Sequence, residues 1–119
     1  MDEKSNTILI DSNIVIYSAE PEYEGLAHWM KNKNIGVSEI TRIEVLGYND
    51  LLLEDRLYFE TFFFKSKIFT ISKRIIDKAI YLKQQKKMSL GDSIIAATAI
   101  TNQIPLVTAN TNDFIILTI

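Results

Sequence analysis

Short apolar runs of β character alternate with longer stretches of helical period along this chain, and that alternation most constrains its fold. Thr7-Ile8-Leu9-Ile10 reads as a first strand ending at Asp11, continuous in apolar residues as a strand buried on both faces must be. Residues 12–19 and 21–32 read as helical, with Pro21 suited to a first helical turn. Ile35-Gly36-Val37-Ser38 is a second strand, followed by helices over 39–46 and 50–64. Ile68-Phe69-Thr70-Ile71 is a third strand. Helices over 73–87 and 90–102 come next, divided near Met88-Ser89. Residues 106–109 form a fourth strand and 114–119 a fifth. Strands that alternate with helices predict an α/β fold, with a mostly parallel sheet of about five strands and helices on both faces. With 119 residues, two prolines and no repeat or low-complexity stretch, residues 1–119 read as a single domain.

Composition narrows the chemistry by what it lacks. No cysteine means no disulfide, iron–sulfur cluster or thiolate zinc site, and the one histidine, His28, excludes any site needing two imidazoles. His28 sits beside Trp29, far in sequence from any candidate acid, and reads as structural; without a GxSxG elbow, a Ser–His–Asp hydrolase is not supported. The glycines at 25, 36, 47 and 91 fit neither a Walker loop nor a GxGxxG turn. The N-terminus is polar and acidic, unlike a signal peptide, and no apolar run approaches the roughly 18 residues of a membrane span, so a cytoplasmic protein is expected. Carboxylates, hydroxyls and cations remain.

In a parallel α/β sheet, sites form beyond the carboxyl ends of the strands. Asp11 follows the first strand and Asp113 lies just past the fourth. Each has an ordinary structural alternative: Asp11 could N-cap the next helix, and Asp113 could form an Asx-turn. Glu44 and Asp92 stand out for a different reason. The helical stripe Ile40, Ile43, Glu44, Gly47 places Glu44 on an apolar face, and the stripe Asp92, Ile95, Ala96, Ala99 does the same for Asp92. Ser89 to Asp92 also matches a capping box, which accounts for an acid there but not for its alignment with the stripe. Buried carboxylates need partners, and four acids converging at one sheet edge would be neutralised by a shared cation. All-oxygen ligation selects a hard ion, Mg²⁺ or Mn²⁺, which suits phosphodiester hydrolysis. Ser12, Asn13, Thr41, Thr108 and Asn110, at or near strand ends, are candidate supporting polar ligands.

Four fragments in order, Asp11-Ser12-Asn13, Ser38 through Leu46, Leu90 through Ala99, and Leu106 through Phe114, resemble the PIN domain. The likeness is to the VapC-like toxins of prokaryotic toxin–antitoxin pairs, and it spans nearly the whole chain. It implies a three-layer α/β/α sandwich and a metal-dependent endoribonuclease. The family's acidic quartet falls on Asp11, Glu44, Asp92 and Asp113, and its strand-four polar positions fall on Thr108 and Asn110. A homodimer is implied as well, together with a cognate antitoxin whose C-terminal segment blocks the site. Where the family often carries a base between the Thr and the Asn, this chain has Ala109. That departure keeps open a second reading, a non-catalytic PIN-like binding module.

The net charge of −2 is segregated. Residues 1–64 carry 5 bases and 12 acids, whereas residues 65–87 carry 8 bases against Asp77 alone. Such a segment can draw in RNA, and Lys86 and Lys87, which lead into the Asp92 helix, are the first candidates for phosphate contacts. A solvated helix face is the plainer reading of any one of these lysines. The cluster Tyr58, Phe59, Phe62, Phe63, Phe64 has the spacing of a buried stripe, but three consecutive Phe cannot all face one way, so part of it is expected on a partner surface. A receiver domain would need an aspartate at the end of the third strand, where Ile71-Ser72-Lys73 stands.

Overall fold

A computed structural model describes residues 6–110 and 113–117, with 110 and 113–117 described through their backbone alone. In chain order the elements are β1 (Thr7–Ile10), α1 (Ser12–Ser18), a 3₁₀ turn (Pro21–Tyr23), α2 (Glu24–Met30), β2 (Asn34–Ser38) and α3 (Glu39–Leu46). Then come α4 (Leu53–Lys65), β3 (Lys67–Phe69), α5 (Lys73–Gln85), α6 (Leu90–Asn102), β4 (Leu106–Asn110) and β5 (Asp113–Leu117). The strands form one sheet in the order β3-β2-β1-β4-β5, parallel except for β5, which runs antiparallel to β4.

β1 lies at the centre and is apolar because it is covered twice. Leu9 and Ile10 are both fully buried and point to opposite faces of the pleat. Ile10 packs with Val37 and Val107 against Ile14, Val15, Leu26, Met30, Val45, Phe59 and Phe63, from helices α1 to α4. Leu9 packs with Phe69 and Leu106 against Ile95 and Ala99 of α6, behind which α5 adds Ile75 and Ala79. Helices thus cover both faces, giving the three-layer α/β/α arrangement. Gly36 in β2 permits this packing at one tight point, since a Cβ there would stand 2.6 Å from the Phe69 ring.

Local chemistry sets where the helices start. The side chains of Asp11, Ser38, Ser72 and Ser89 accept backbone N–H bonds from Ile14, Ile40, Ile75 and Asp92, at the heads of α1, α3, α5 and α6. Several boundaries differ from the periodic reading. The expected helix over 21–32 divides into the 3₁₀ turn, with Pro21 at its first position, and α2. The expected third strand over 68–71 stops at Phe69, just ahead of the Ser72 cap. The helix expected to run to 87 ends at Gln85, because Lys86 is already extended. The fifth strand is described over Asp113–Leu117, while the remainder of its expected range lies outside the described residues.

Of the aromatic cluster, Phe59 and Phe63 enter the core, Phe62 is half-buried, and Phe64 is 89% exposed. No helix among the described residues is long and apolar enough to cross a membrane.

α6 closes on Gln103 in the left-handed region, at φ 55°. The Ile104 N–H returns to the Ala99 carbonyl at 3.1 Å and the Gln103 N–H to that of Ile100 at 3.2 Å, a Schellman closure. A side chain disfavours that conformation and Gln103 is exposed. Gln103→Gly is therefore expected to raise stability by about 0.5–1 kcal/mol, read from the shift of the urea unfolding midpoint.

Candidate active site

The order of the sheet locates the site. From β1 the chain crosses to β2 on one side and later returns to β4 on the other, so a crevice opens beyond the carboxyl ends of β1 and β4. Asp11 stands there. Its backbone N–H donates to the Val107 carbonyl at 3.2 Å, extending the β1–β4 ladder by one residue. Its carboxylate accepts from the Ile14 N–H at 2.9 Å, from the Thr108 hydroxyl and from the Ala109 N–H. The capping role and the functional position thus fall on the same side chain.

Burial pushes the Asp11 carboxyl above its ordinary value of 3.8, and the negative charge of Asp92 pushes the same way. The hydrogen bonds from Thr108, Ile14 and Ala109 act in the opposite sense and only partly offset burial. Asp92 lies in the first turn of α6 and faces Asp11 closely enough for its charge to register. Glu44, on α3, accepts from the Ser12 hydroxyl at 2.5 Å, and that hydroxyl also lies 3.2 Å from Oγ1 of buried Thr41. The Glu44 carboxylate rests against Gly91, the residue before Asp92. Asp11, Glu44, Asp92, Ser12, Thr41 and Thr108 therefore come together, from four separate elements and the residue that caps α1.

Two expectations are corrected. Glu44 and Asp92 are exposed, not buried on apolar faces. The buried stripe of α3 is Thr41 and Val45, while Ile43 is 63% exposed. The period alone could not choose between two neighbouring stripes, and the charged one faces the open end of the crevice. Asn13 is likewise exposed, at the head of α1. The backbone pairs Asp113 with Asn110 just beyond the crevice edge of β4; the side chains of both lie outside the described part. Lys86 and Lys87 are exposed on the connection into α6, where with Lys83, Gln84, Gln85 and Met88 they line a shallow cleft of about 370 Å³. His28 is exposed on α2. Gly91 is the site residue that sequence reasoning missed, although a glycine inside a helix that also carries a candidate acid was the available signal.

Among the described residues, no group of three acidic or imidazole side chains is drawn tightly enough to hold an ion by itself. The donor set nevertheless suits a hard cation. Asp11 and Asp92 repel each other, and none of the three ion pairs among the described residues (Arg42–Glu39, Arg56–Glu60, Lys73–Asp77) involves a site acid. All donors are oxygens.

The PIN domain family model matches residues 8–116. The chain is a PIN domain. This family is one of nucleases. Similar solved structures include a toxin–antitoxin complex from Klebsiella pneumoniae, 29% identical, with a TM-score of 0.73 over 89% of this chain and 88% of that one. VapBC2 from Rickettsia felis, bound to a promoter DNA fragment, shares the fold at 22% identity, with a TM-score of 0.72 over 87% and 88% of the two chains. DNA-bound VapBC from Salmonella typhimurium shares it at 14%, with a TM-score of 0.68 over 86% and 85%. No curated protein sequence matches this PIN domain.

The shift at Asp11 has a definite sign. A carboxyl raised in the folded state stabilises the fold below its unfolded value, and that contribution is lost as pH rises through the folded value. In metal-free protein, ionised Asp11 is thus a burden at neutral pH. Asp11→Asn keeps an acceptor for the Ile14 cap, so it is expected to raise the melting temperature at pH 7, with the gain vanishing below about pH 4. Thermal melts between pH 3 and 8 in EDTA check both halves.

Proposed function

We propose that this PIN domain is a toxin-type endoribonuclease that hydrolyses RNA phosphodiester bonds with Mg²⁺ or Mn²⁺, in the cytoplasm. The observation that carries the reading is the half-buried Asp11 carboxylate at the sheet's switch point, facing Asp92, with Glu44 pinned by Ser12 beside it. Asp11, Glu44 and Asp92 would hold the ion, joined by Asp113, whose backbone stands at the same edge. A divalent ion there supplies polarisation of the phosphate and a lowered pKa for water.

The chain's own groups do the positioning. Thr108 and the Ala109 N–H fix one side of the Asp11 carboxylate, and the Ile14 N–H fixes an oxygen from the α1 side. Thr41 and Ser12 orient Glu44. Asn13 and Asn110 are neutral groups available to substrate or ion, and the basic stretch from Lys65 to Lys87 favours approach of a polyanion. Lys86 and Lys87 are the proposed phosphate contacts.

A larger cavity of about 870 Å³, lined by none of the three acids, opens between α2 and α4 over Met30, Ile35, Leu57, Tyr58 and Phe62, with Lys31, Lys33 and Lys65 among its lining residues. An apolar floor flanked by three bases against one acid, Glu54, suits an acidic, partly apolar segment, and we assign it to the cognate antitoxin. Ile43 and Leu90, each 63% exposed, support a homodimer built near the crevice mouth.

One preparation tests these assignments. Purified protein should cleave RNA in Mn²⁺ or Mg²⁺ and stop in EDTA, and Asp11→Asn or Asp92→Asn should each cut the rate on the order of a hundredfold or more. The product of an adjacent small reading frame should inhibit the wild type, and light scattering should give the mass of a dimer. Full cleavage by Asp11→Asn, or cleavage that survives EDTA, would sink the nuclease reading. Absence of Mn²⁺ binding at millimolar concentration would favour the alternative, a non-catalytic binding module, for which the missing strand-four base at Ala109 is the pointer.

A further inference from the structure

Gly91 is buried in the first turn of α6, whereas Leu90 and Asp92 on either side of it are exposed. Glycine inside a helix is disfavoured relative to alanine. Nothing in the backbone calls for one here, since no glycine among the described residues has a positive φ. The reason is spatial. A Cβ built at Gly91 would stand 3.1 Å from Cδ and 3.3 Å from Oε1 of Glu44, and closer still to Oε2. Its three nearest atoms all belong to that one carboxylate, so an added methyl would meet Glu44 first.

The opposite side of the carboxylate is fixed too. The Ser12 hydroxyl donates to Glu44 Oε1 at 2.5 Å and lies 3.2 Å from Oγ1 of Thr41, which is fully buried. Glu44 is itself exposed and long, and an exposed glutamate would otherwise sample several rotamers. Its carboxylate is held between a hydroxyl anchored on the core and the bare backbone of α6 at Gly91, the residue before Asp92.

We propose that Gly91 is a positioning residue for Glu44: the side chain it lacks is the space the carboxylate occupies, and with Ser12 it sets where that acid stands. The proposal rests on the metal-dependent reading of the site for its functional consequence. Ser12 accordingly acts through Glu44.

Calorimetric titration with Mn²⁺, thermal melts of metal-free protein and the carboxyl carbon resonance of Glu44 test it together. Gly91→Ala is expected to weaken Mn²⁺ binding about tenfold or more, while the metal-free melting temperature stays or rises, because alanine favours the helix. In Glu44→Ala protein the added methyl displaces nothing, so that variant and the double variant should bind Mn²⁺ alike. Glu44→Asp combined with Gly91→Ala, in which the shorter acid clears the methyl, should bind more tightly than Gly91→Ala alone. Wild-type affinity in Gly91→Ala, or an equal loss in the Glu44→Ala background, would overturn the proposal. The resonance separates it from the reading beneath it. If it moves in Gly91→Ala while the wild type binds no Mn²⁺, the metal reading fails and the contact stands. If it does not move, the proposal fails even where Asp11→Asn abolishes Mn²⁺ binding.

Discussion

The burial of β1 on both faces fixes the point from which the whole site is built. A strand with Leu9 packed into one layer and Ile10 into the other cannot shift, and it delivers Asp11 to a set position beyond its carboxyl end. There the half-buried carboxylate meets three donors. Its charge is therefore disfavoured by the core that positions it and only partly restored by Thr108, Ile14 and Ala109. With a second acid facing it, the carboxylate belongs to a set of oxygen donors of the kind a hard cation takes.

Around that point the acids divide by what constrains them. Asp11 is held by backbone and core. Glu44 and Asp92 project from helix surfaces, the one against Ser12 and Gly91 and the other from the first turn of α6. One acid is thus set by the sheet and the other two by the helices that converge on it. Substrate attraction is separate again. Under the proposed nuclease reading it would come from the basic stretch over 65–87, which carries 8 bases against Asp77 in a chain of net charge −2.

Much of this is legible in the residue string. The strand runs, the serine and aspartate caps, and the switch-point rule together point to Asp11, and the resemblance of four ordered fragments points to the family that matches residues 8–116. Periodicity fails at Glu44. The stripe through Ile40 and Ile43 looks apolar, yet Thr41 and Val45 are the buried pair, because the side of α3 that meets the sheet is chosen by the Ser38 cap and the β2 register, neither of which the stripe encodes. The run from Phe62 to Phe64 is divided, as three consecutive helical residues must be, but only packing decides that Phe63 enters and Phe64 stays out.

By itself the sequence determined the available chemistry and the local starts and stops: no thiol, one imidazole, carboxylates next to strand ends, and a capping side chain ahead of each of four helices. These depend on residue identity and contacts within a few positions, which a string records directly. The tertiary structure alone decided which groups meet. Asp11 and Thr108 are 97 positions apart and share a hydrogen bond only because β1 and β4 are neighbours in the sheet. Glu44 and Gly91 touch only because α3 and α6 converge at the crevice. Such pairings depend on the order in which strands assemble, and no local period carries that order.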